Sequence, residues 1–247
     1  MEITWQRCMG LSNEGLVQIN ERLSCLPRAY QALCELQAHA KHHGFELMPC
    51  SAFRSFESQA AIFSAKFLGQ RTILDINEQP LKVTPTDPIE RIKAILLFSA
   101  MPGFSRHHFG SDLDIYAPNK LPAGQQLELT YHEYAQGSYF YEFGCYLKEN
   151  LSTFGFINPY LHKDNRNHQG SIVQVGMEPW HISHVESAQD FVSTFDYEQA
   201  LDYLAATDLP FAPYVKAVMS YEQANAMLCL TLKIRRNHEI KNVTYLD

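Results

Sequence analysis

No stretch of the sequence is both long and apolar enough to span a bilayer. Met1 to Asn20 lack the basic region and following apolar run of a secretory leader. A cytoplasmic location is therefore expected if Met1 is the natural start, and a periplasmic one if a leader has been trimmed away. Positive charge is also in short supply. The 20 Lys and Arg residues against 27 Asp and Glu leave a formal net charge of −7. That balance argues against a nucleic-acid partner, which calls for a basic face. There is no Cys-x-x-Cys pair. The six cysteines, Cys8, Cys25, Cys34, Cys50, Cys145 and Cys229, are scattered along 247 residues, so a disulfide framework is not expected. Free thiols suit a reducing compartment. Internal repeats and low-complexity linkers are absent as well.

What the sequence holds instead is a concentration of metal-binding and acid–base side chains in two short stretches. The first is Ser105-Arg106-His107-His108-Phe109-Gly110-Ser111-Asp112-Leu113-Asp114, and the second is Glu178-Pro179-Trp180-His181. A catalytic zinc site needs about three protein ligands and one open position. His107, Asp114 and His181 supply such a set. Bound zinc lowers the pKa of its water from roughly 16 to about 7. Glu178, three residues before a ligand, is placed to act as general base toward that water and to pass its proton to a leaving amine. Gly110 allows a tight turn between the first two ligands, and Pro179 stiffens the step from base to ligand.

The pattern Ser-x-His-x-x-Gly-x-x-x-Asp followed by Glu-x-Trp-His resembles the zinc D-Ala-D-Ala carboxypeptidases and dipeptidases, the VanY-like and VanX-like peptidases. These are related in fold to the peptidoglycan amidases and the hedgehog signalling domain. The resemblance is carried by Ser105, His107, Gly110, Asp114, Glu178, Trp180 and His181. It gains a third element upstream in Ala52-Phe53-Arg54-Ser55-Phe56-Glu57-Ser58-Gln59, and it covers roughly residues 25–186. It implies that Arg54 and Gln59 face the substrate, with Arg54 clamping a developing oxyanion or a terminal carboxylate. Ser105 is either a substrate contact, as the resemblance suggests, or a cap of the loop. Trp180 reads as a packed aromatic wall of the same cleft and joins Gln59 and Ser105 as a substrate-binding candidate. Asp112 departs from the pattern, where a small apolar residue is usual. On a strand it points the same way as Asp114, so it is either a partner of a ligand histidine or solvated; the resemblance favours Asp114 as the ligand. His108 reads as a neighbour of His107, not a ligand.

The remaining chain reads as α+β. Helices are expected over 27–43, 55–68 and 88–99, flanking a small, mainly antiparallel sheet of the hedgehog/DD-peptidase type with the metal cleft along one face. Pro27, Ser55 and the Asp87-Pro88 pair mark the helix starts. Strands are expected over 45–53, 111–116, 156–160, 171–175, 181–185 and 230–234. Further helices are expected over 139–154, 197–206 and 221–228. A polar loop, 69–86, is a possible flap, and 161–170, with His162 and His168, reads as an exposed turn. His39, His42 and His43 complement a helix end, and His184 reads as an ordinary strand histidine. Residues 1–24 read as a lead-in packing on the surface, 25–190 as the catalytic domain and 191–247 as an extension packed on it.

The resemblance implies a zinc-dependent carboxypeptidase that releases D-alanine from peptidoglycan stem peptides or muropeptides. The missing leader tilts the expectation toward L,D-carboxypeptidase activity on recycled tetrapeptides over D,D-carboxypeptidase activity on D-Ala-D-Ala ends. The competing readings are a non-catalytic metal-dependent binding module and a lysin-type endopeptidase. No separate wall-binding module is visible to support the latter.

Overall fold

A computed structural model describes residues 3–161 and 176–229. The chain opens with a single helical turn, α1 (Trp5–Cys8), capped by the Thr4 side chain. Two short strands, β1 (Val17–Gln18) and β2 (Ser24–Cys25), then pair antiparallel. Helix α2 (Pro27–His42) starts at Pro27 and buries Ala29, Ala32, Leu33, Leu36 and Ala40, the spacing of one helical face. Its histidines are ordinary. The His39 Nδ1 lies 2.8 Å from the Tyr146 hydroxyl, at the end where basic side chains suit the helix dipole.

Strand β3 (Met48–Ser51) is shorter than the 45–53 expected. Its pairing with the next strand shifts register between Pro49 and Ser51, where the proline has no N–H to give to a ladder. Helix α3 (Phe56–Phe67) follows almost at once, its Ser55 cap accepting from the Ser58 N–H. Helix α4 (Pro88–Leu96) is capped by Asp87, which accepts from the Glu90 N–H at 2.9 Å. It ends three residues before Ser99, so its buried face is Ile92, Ile95 and Leu96, with Ile89 half-buried.

Strand β4 (Asp112–Tyr116) is buried along almost all its length. Helix α5 (Tyr141–Asn150) runs into a 3₁₀ turn, Leu151–Phe154. Gly155 closes that turn at φ +73°, a conformation that favours glycine. Strands β5 (Phe156–Ile157) and β6 (His181–His184) complete a four-stranded sheet in the order β3-β4-β6-β5, antiparallel throughout. The fold is therefore α+β, with small antiparallel sheets flanked by helices. The β4–β6 register pairs Asp114 with His181 and Asp112 with Ser183. That pairing joins two motifs almost seventy residues apart.

Helices α6 (Val185–Thr194), α7 (Tyr197–Ala205), α8 (Val215–Val218) and α9 (Tyr221–Leu228) follow, with α6 against β6 and α1, and α8 between α4 and α7. Phe191 stacks on Phe109 at 5.2 Å between ring centres, and Phe211 meets Phe63 at 4.6 Å. The first residues are equally anchored. Cys8 and Met9 are buried, and the Arg7 guanidinium donates to the carbonyls of Ser12, Glu14, His108 and Phe109. The strands expected over 171–175 and 230–234, and the turn carrying His162 and His168, lie outside the described residues.

Candidate metal centre

The site is assembled from three elements. His107 stands on a 3₁₀ turn, Arg106–His108, just before β4. Its Nδ1 faces the Ala52 carbonyl at 2.9 Å, so Nδ1 carries the proton and Nε2 is left bare. That Nε2 lies 3.3 Å from the Asp114 Oδ2. Asp114 comes from the middle of β4 and His181 from the first residue of β6. The His181 Nδ1 sits 3.3 Å from both the Asp114 Oδ1 and the Glu178 Oε2. One ligand atom from each of His107, Asp114 and His181 lies within 4.8 Å of the others, and all three residues are buried.

Does this set suit a metal? The Asp114 Oδ1 is buried and makes no hydrogen bond. An orphaned carboxylate oxygen at such depth costs a few kcal/mol unless a cation meets it. Two imidazoles and a carboxylate are the ligand types zinc takes. The residues therefore fit zinc, held through the His107 Nε2, Asp114 and the His181 Nδ1.

The electrostatics agree. Burial would drive the Asp114 carboxyl up, but His107 and His181 outweigh it and hold the group well below the usual carboxylate range. Burial likewise opposes a charge on His181, yet Asp112, Asp114 and Glu178 together push its ring well above the ordinary histidine value. In the metal-free protein His181 therefore holds a proton where a cation would sit.

Glu178 reaches the centre through a turn at Pro179 and Trp180, closed by the His181 N–H on the Glu178 carbonyl at 3.0 Å. Pro179, which stiffens the step from base to ligand, lies in this turn. Arg54 lies at the junction of β3 and α3 and faces the same cleft. Its guanidinium donates to the Gln59 Oε1 at 2.9 Å and to the Ser51 Oγ at 3.1 Å, and among the described residues it has no carboxylate partner. Gln59 holds Arg54 in place, its amide also donates to the Ala100 carbonyl, and it lines the cleft. Ser105 is buried on the cleft wall and makes no capping hydrogen bond. Trp180 is buried against Tyr134, 6.0 Å away between ring centres, as an aromatic wall.

His108 and His184 turn away from the centre. The buried His108 ring bridges the Arg54 carbonyl, through Nδ1 at 2.7 Å, and the Gly103 N–H, through Nε2 at 3.0 Å. His184 caps α6 through the Ser187 N–H.

The cleft has a volume of about 260 Å³, and Lys66, Glu78, Glu128 and Tyr160 also line it. Sequence reasoning passed over Lys66 and Tyr160. Lys66 stands seven residues after Gln59 on α3, a spacing that returns to the same helix face, and that signal could have found it. Its ammonium donates to the Ser99 Oγ at 2.7 Å; burial lowers its pKa while Glu178 opposes the shift. Tyr160 packs its ring edge-on against His181 at 4.8 Å, a contact no local pattern announces.

Comparison with known proteins returned one family and several relatives. The family model described as VanY: D-alanyl-D-alanine carboxypeptidase matches residues 22–187. An uncharacterized protein of Haemophilus influenzae is 42% identical over 85 residues, 34% of this chain and 60% of that protein. A second uncharacterized protein of the same organism is 35% identical over 105 residues, 41% of this chain and 72% of that protein. The chain thus spans about 60% of the length of the first of these relatives. Among solved structures, VanYB in complex with D-alanine-D-alanine superposes with a TM-score of 0.49 at 22% identity, covering 76% of this chain and 87% of that one. A VanY mutant from a VanB-type resistance cassette in complex with Zn(II) gives 0.48 at 22%, covering 75% and 88%. The LdcB LD-carboxypeptidase gives 0.49 at 20%, covering 77% and 78%.

Proposed function

The chain belongs to the VanY D-alanyl-D-alanine carboxypeptidase family, whose model matches more than half of it, and from that membership we propose that it is a zinc metallocarboxypeptidase releasing the terminal D-alanine of peptidoglycan stem peptides. The observation that carries the proposal is the convergence of His107, Asp114 and His181 around a buried carboxylate oxygen that makes no hydrogen bond, with Glu178 at 3.3 Å from one ligand.

Zinc, when bound, supplies Lewis acidity toward the scissile carbonyl. The protein supplies the remainder. Glu178 takes the proton of the attacking water and delivers it to the leaving D-alanine amine. The Arg54 guanidinium, fixed in direction by Gln59 and Ser51, meets the negative charge that develops on the carbonyl oxygen or the substrate's terminal carboxylate. Ser105 and Trp180 form the wall against which the peptide lies.

For the bond cut, we favour L,D-carboxypeptidase action on tetrapeptides, where a diamino acid precedes D-alanine, over D,D-action on pentapeptides. What supports this is the mixed charge of the cleft. Lys66, Glu78 and Glu128 line it together with the metal ligands and offer partners to a charged diamino side chain, whereas a methyl group needs none. The test is D-alanine release from a defined tetrapeptide and a defined pentapeptide by zinc-loaded wild type and Glu178→Ala in parallel. Release from the tetrapeptide, lost in a variant that still binds zinc, is the expected result. Release from the pentapeptide alone would overturn the L,D reading and keep the family chemistry. Release from neither would remove the carboxypeptidase reading.

A further inference from the structure

Behind His181, on the side away from the proposed zinc, the structure holds a second buried charge pair that the carboxypeptidase reading does not use. Asp112 is fully buried on β4, and its Oδ1 lies 3.0 Å from the His181 Nε2. The Arg106 Nε donates to the same oxygen at 2.7 Å, and the Ser183 hydroxyl reaches the Oδ2 at 3.1 Å. The Ser111 hydroxyl also donates to the Oδ2. Arg106 is itself buried, and its remaining nitrogens donate to the Ser183 Oγ and, at 2.7 Å, to the Leu228 carbonyl.

We propose that Asp112 is a positioning residue for zinc: by accepting the His181 Nε2–H it fixes the ring's tautomer and direction so that the Nδ1 is bare and aimed at the metal, and Arg106 keeps Asp112 in place for that task. The proposal rests on the reading of His181 as a zinc ligand.

Three observations support it. First, the two nitrogens of His181 divide cleanly, Nε2 toward Asp112 and Nδ1 toward Asp114 and Glu178. A ligand histidine whose outer nitrogen is held by a carboxylate is a better and better-aimed donor. Second, a buried Arg–Asp pair is a poor device for stability alone, because desolvation offsets most of the attraction and apolar residues of similar volume do as well. A pair set directly behind a ligand has a different reason to exist. Third, the register of β4 with β6 makes the arrangement structural: Asp114 faces His181 while Asp112 faces Ser183, two pairs further along. Asp112 is also where this chain departs from the motif it resembles. The Arg106–Asp112 pair reaches the C-terminal segment as well. Leu228, which receives Arg106, ends α9, and the preceding Met227 carbonyl receives the Tyr160 hydroxyl, whose ring packs on His181.

The test measures zinc affinity by chelator competition in wild type, Asp112→Asn and the double variant Arg106→Met with Asp112→Leu, each checked for folding in its metal-free form. The double variant removes both buried charges together and so avoids stranding Arg106. A folded variant is expected to bind zinc about 10–100-fold more weakly than wild type. A folded variant with affinity within about threefold of wild type would overturn the proposal, since loss of this outer carboxylate should cost more than that. Wild type that binds no zinc would instead remove the metal-centre reading on which the proposal stands. If neither variant folds, nitrogen NMR of the zinc-loaded wild type decides. A metal-bound Nδ1 and an Nε2–H protected from exchange are expected for His181; a metal-bound Nε2, or a rapidly exchanging Nε2–H, would overturn the proposal.

Discussion

Arg54 occupies the cleft as a cation without a carboxylate of its own among the described residues, and its surroundings explain why. Gln59 and Ser51 accept from its guanidinium, while its backbone N–H donates to the His107 carbonyl and its carbonyl receives His108. Every one of these contacts restricts direction, and none neutralises charge. A fork held this way suits a planar anion or oxyanion. Arg54→Lys keeps the charge and loses the fork. The expected outcome is a fall in kcat of roughly 10²–10³-fold, as for removal of one oxyanion donor, with zinc affinity unchanged by chelator competition. An equal loss of zinc affinity would show that Arg54 works by holding the metal loop. Sequence reasoning placed Arg54 at a strand-to-helix junction, as observed. It placed Gln59 against the substrate; Gln59 does line the cleft, with one end of its amide holding Arg54 and the other donating to the Ala100 carbonyl. Which partner a buried amide finds is settled by groups that no local window contains, here the backbone carbonyl of Ala100.

At the scale of elements, the loop before β4 is held by contacts from remote segments. The His108 ring ties Arg54 to Gly103, Arg7 donates to the His108 and Phe109 carbonyls, and Gly110 accepts the Leu26 N–H. Gly10 completes this clamp. Its φ is +74°, its carbonyl receives the first N–H of α3, and an added Cβ would lie 2.5 Å from the His108 Nδ1. The ring cannot swing aside without losing a hydrogen bond at either end. Gly10→Ala is expected to cost about 2–4 kcal/mol through left-handed strain and overpacking. Urea denaturation of the metal-free protein measures it. A cost below about 1 kcal/mol would mean that the loop yields easily. Helix starts were legible here because caps are local chemistry: Ser55 and Asp87 satisfy N–H groups only three residues on. The ends of β3 and α4 were less so. A strand ends where its partner does, and α4 stops at Leu96 although its apolar spacing runs on to Ser99.

For the molecule as a whole, two titrations run in opposite directions. His108 is fully buried and neutral; burial is the main cause, and its pKa falls to about 3. Its folded value lies below its unfolded one of about 6.5, so the stability it contributes is present above that pH and is lost as pH falls toward the folded value. The slope is at most about 1.4 kcal/mol per pH unit for one group. His184 shifts the same way, through burial. Asp112 and Asp114 join only below their unfolded value of about 4, because their folded values are lower still. His181 has the opposite sign. Its value is raised, so its contribution in the metal-free protein is complete below about 6.5 and is lost only as pH rises through the folded value. Denaturation of the metal-free protein should therefore show stability falling between pH 6 and 4.5; a flat profile would contradict a neutral buried His108. Zinc reverses the role of His181, since a ligand imidazole must give up its proton. Calorimetry at pH 7 in buffers of different ionisation heat should report about one proton released per zinc bound. Zinc at a hundred times its Kd should stabilise the fold by about 2.7 kcal/mol, and chelation should remove that gain.

The sequence alone pointed to the His107, Asp114 and His181 set, the nearby Glu178, the helix starts and the family resemblance, because each is written in residues a few positions apart, where spacing and side-chain chemistry suffice. Only the tertiary structure decided how those residues serve one another. The β4–β6 register set Asp114 against His181 and left Asp112 behind the ring, resolving an ambiguity that two carboxylates on one strand face cannot resolve by themselves. It also brought Arg106 to the Leu228 carbonyl across 122 positions of chain. Contacts of that separation are chosen by packing and by the demand that a buried charge be met, and neither leaves a period or a motif to read.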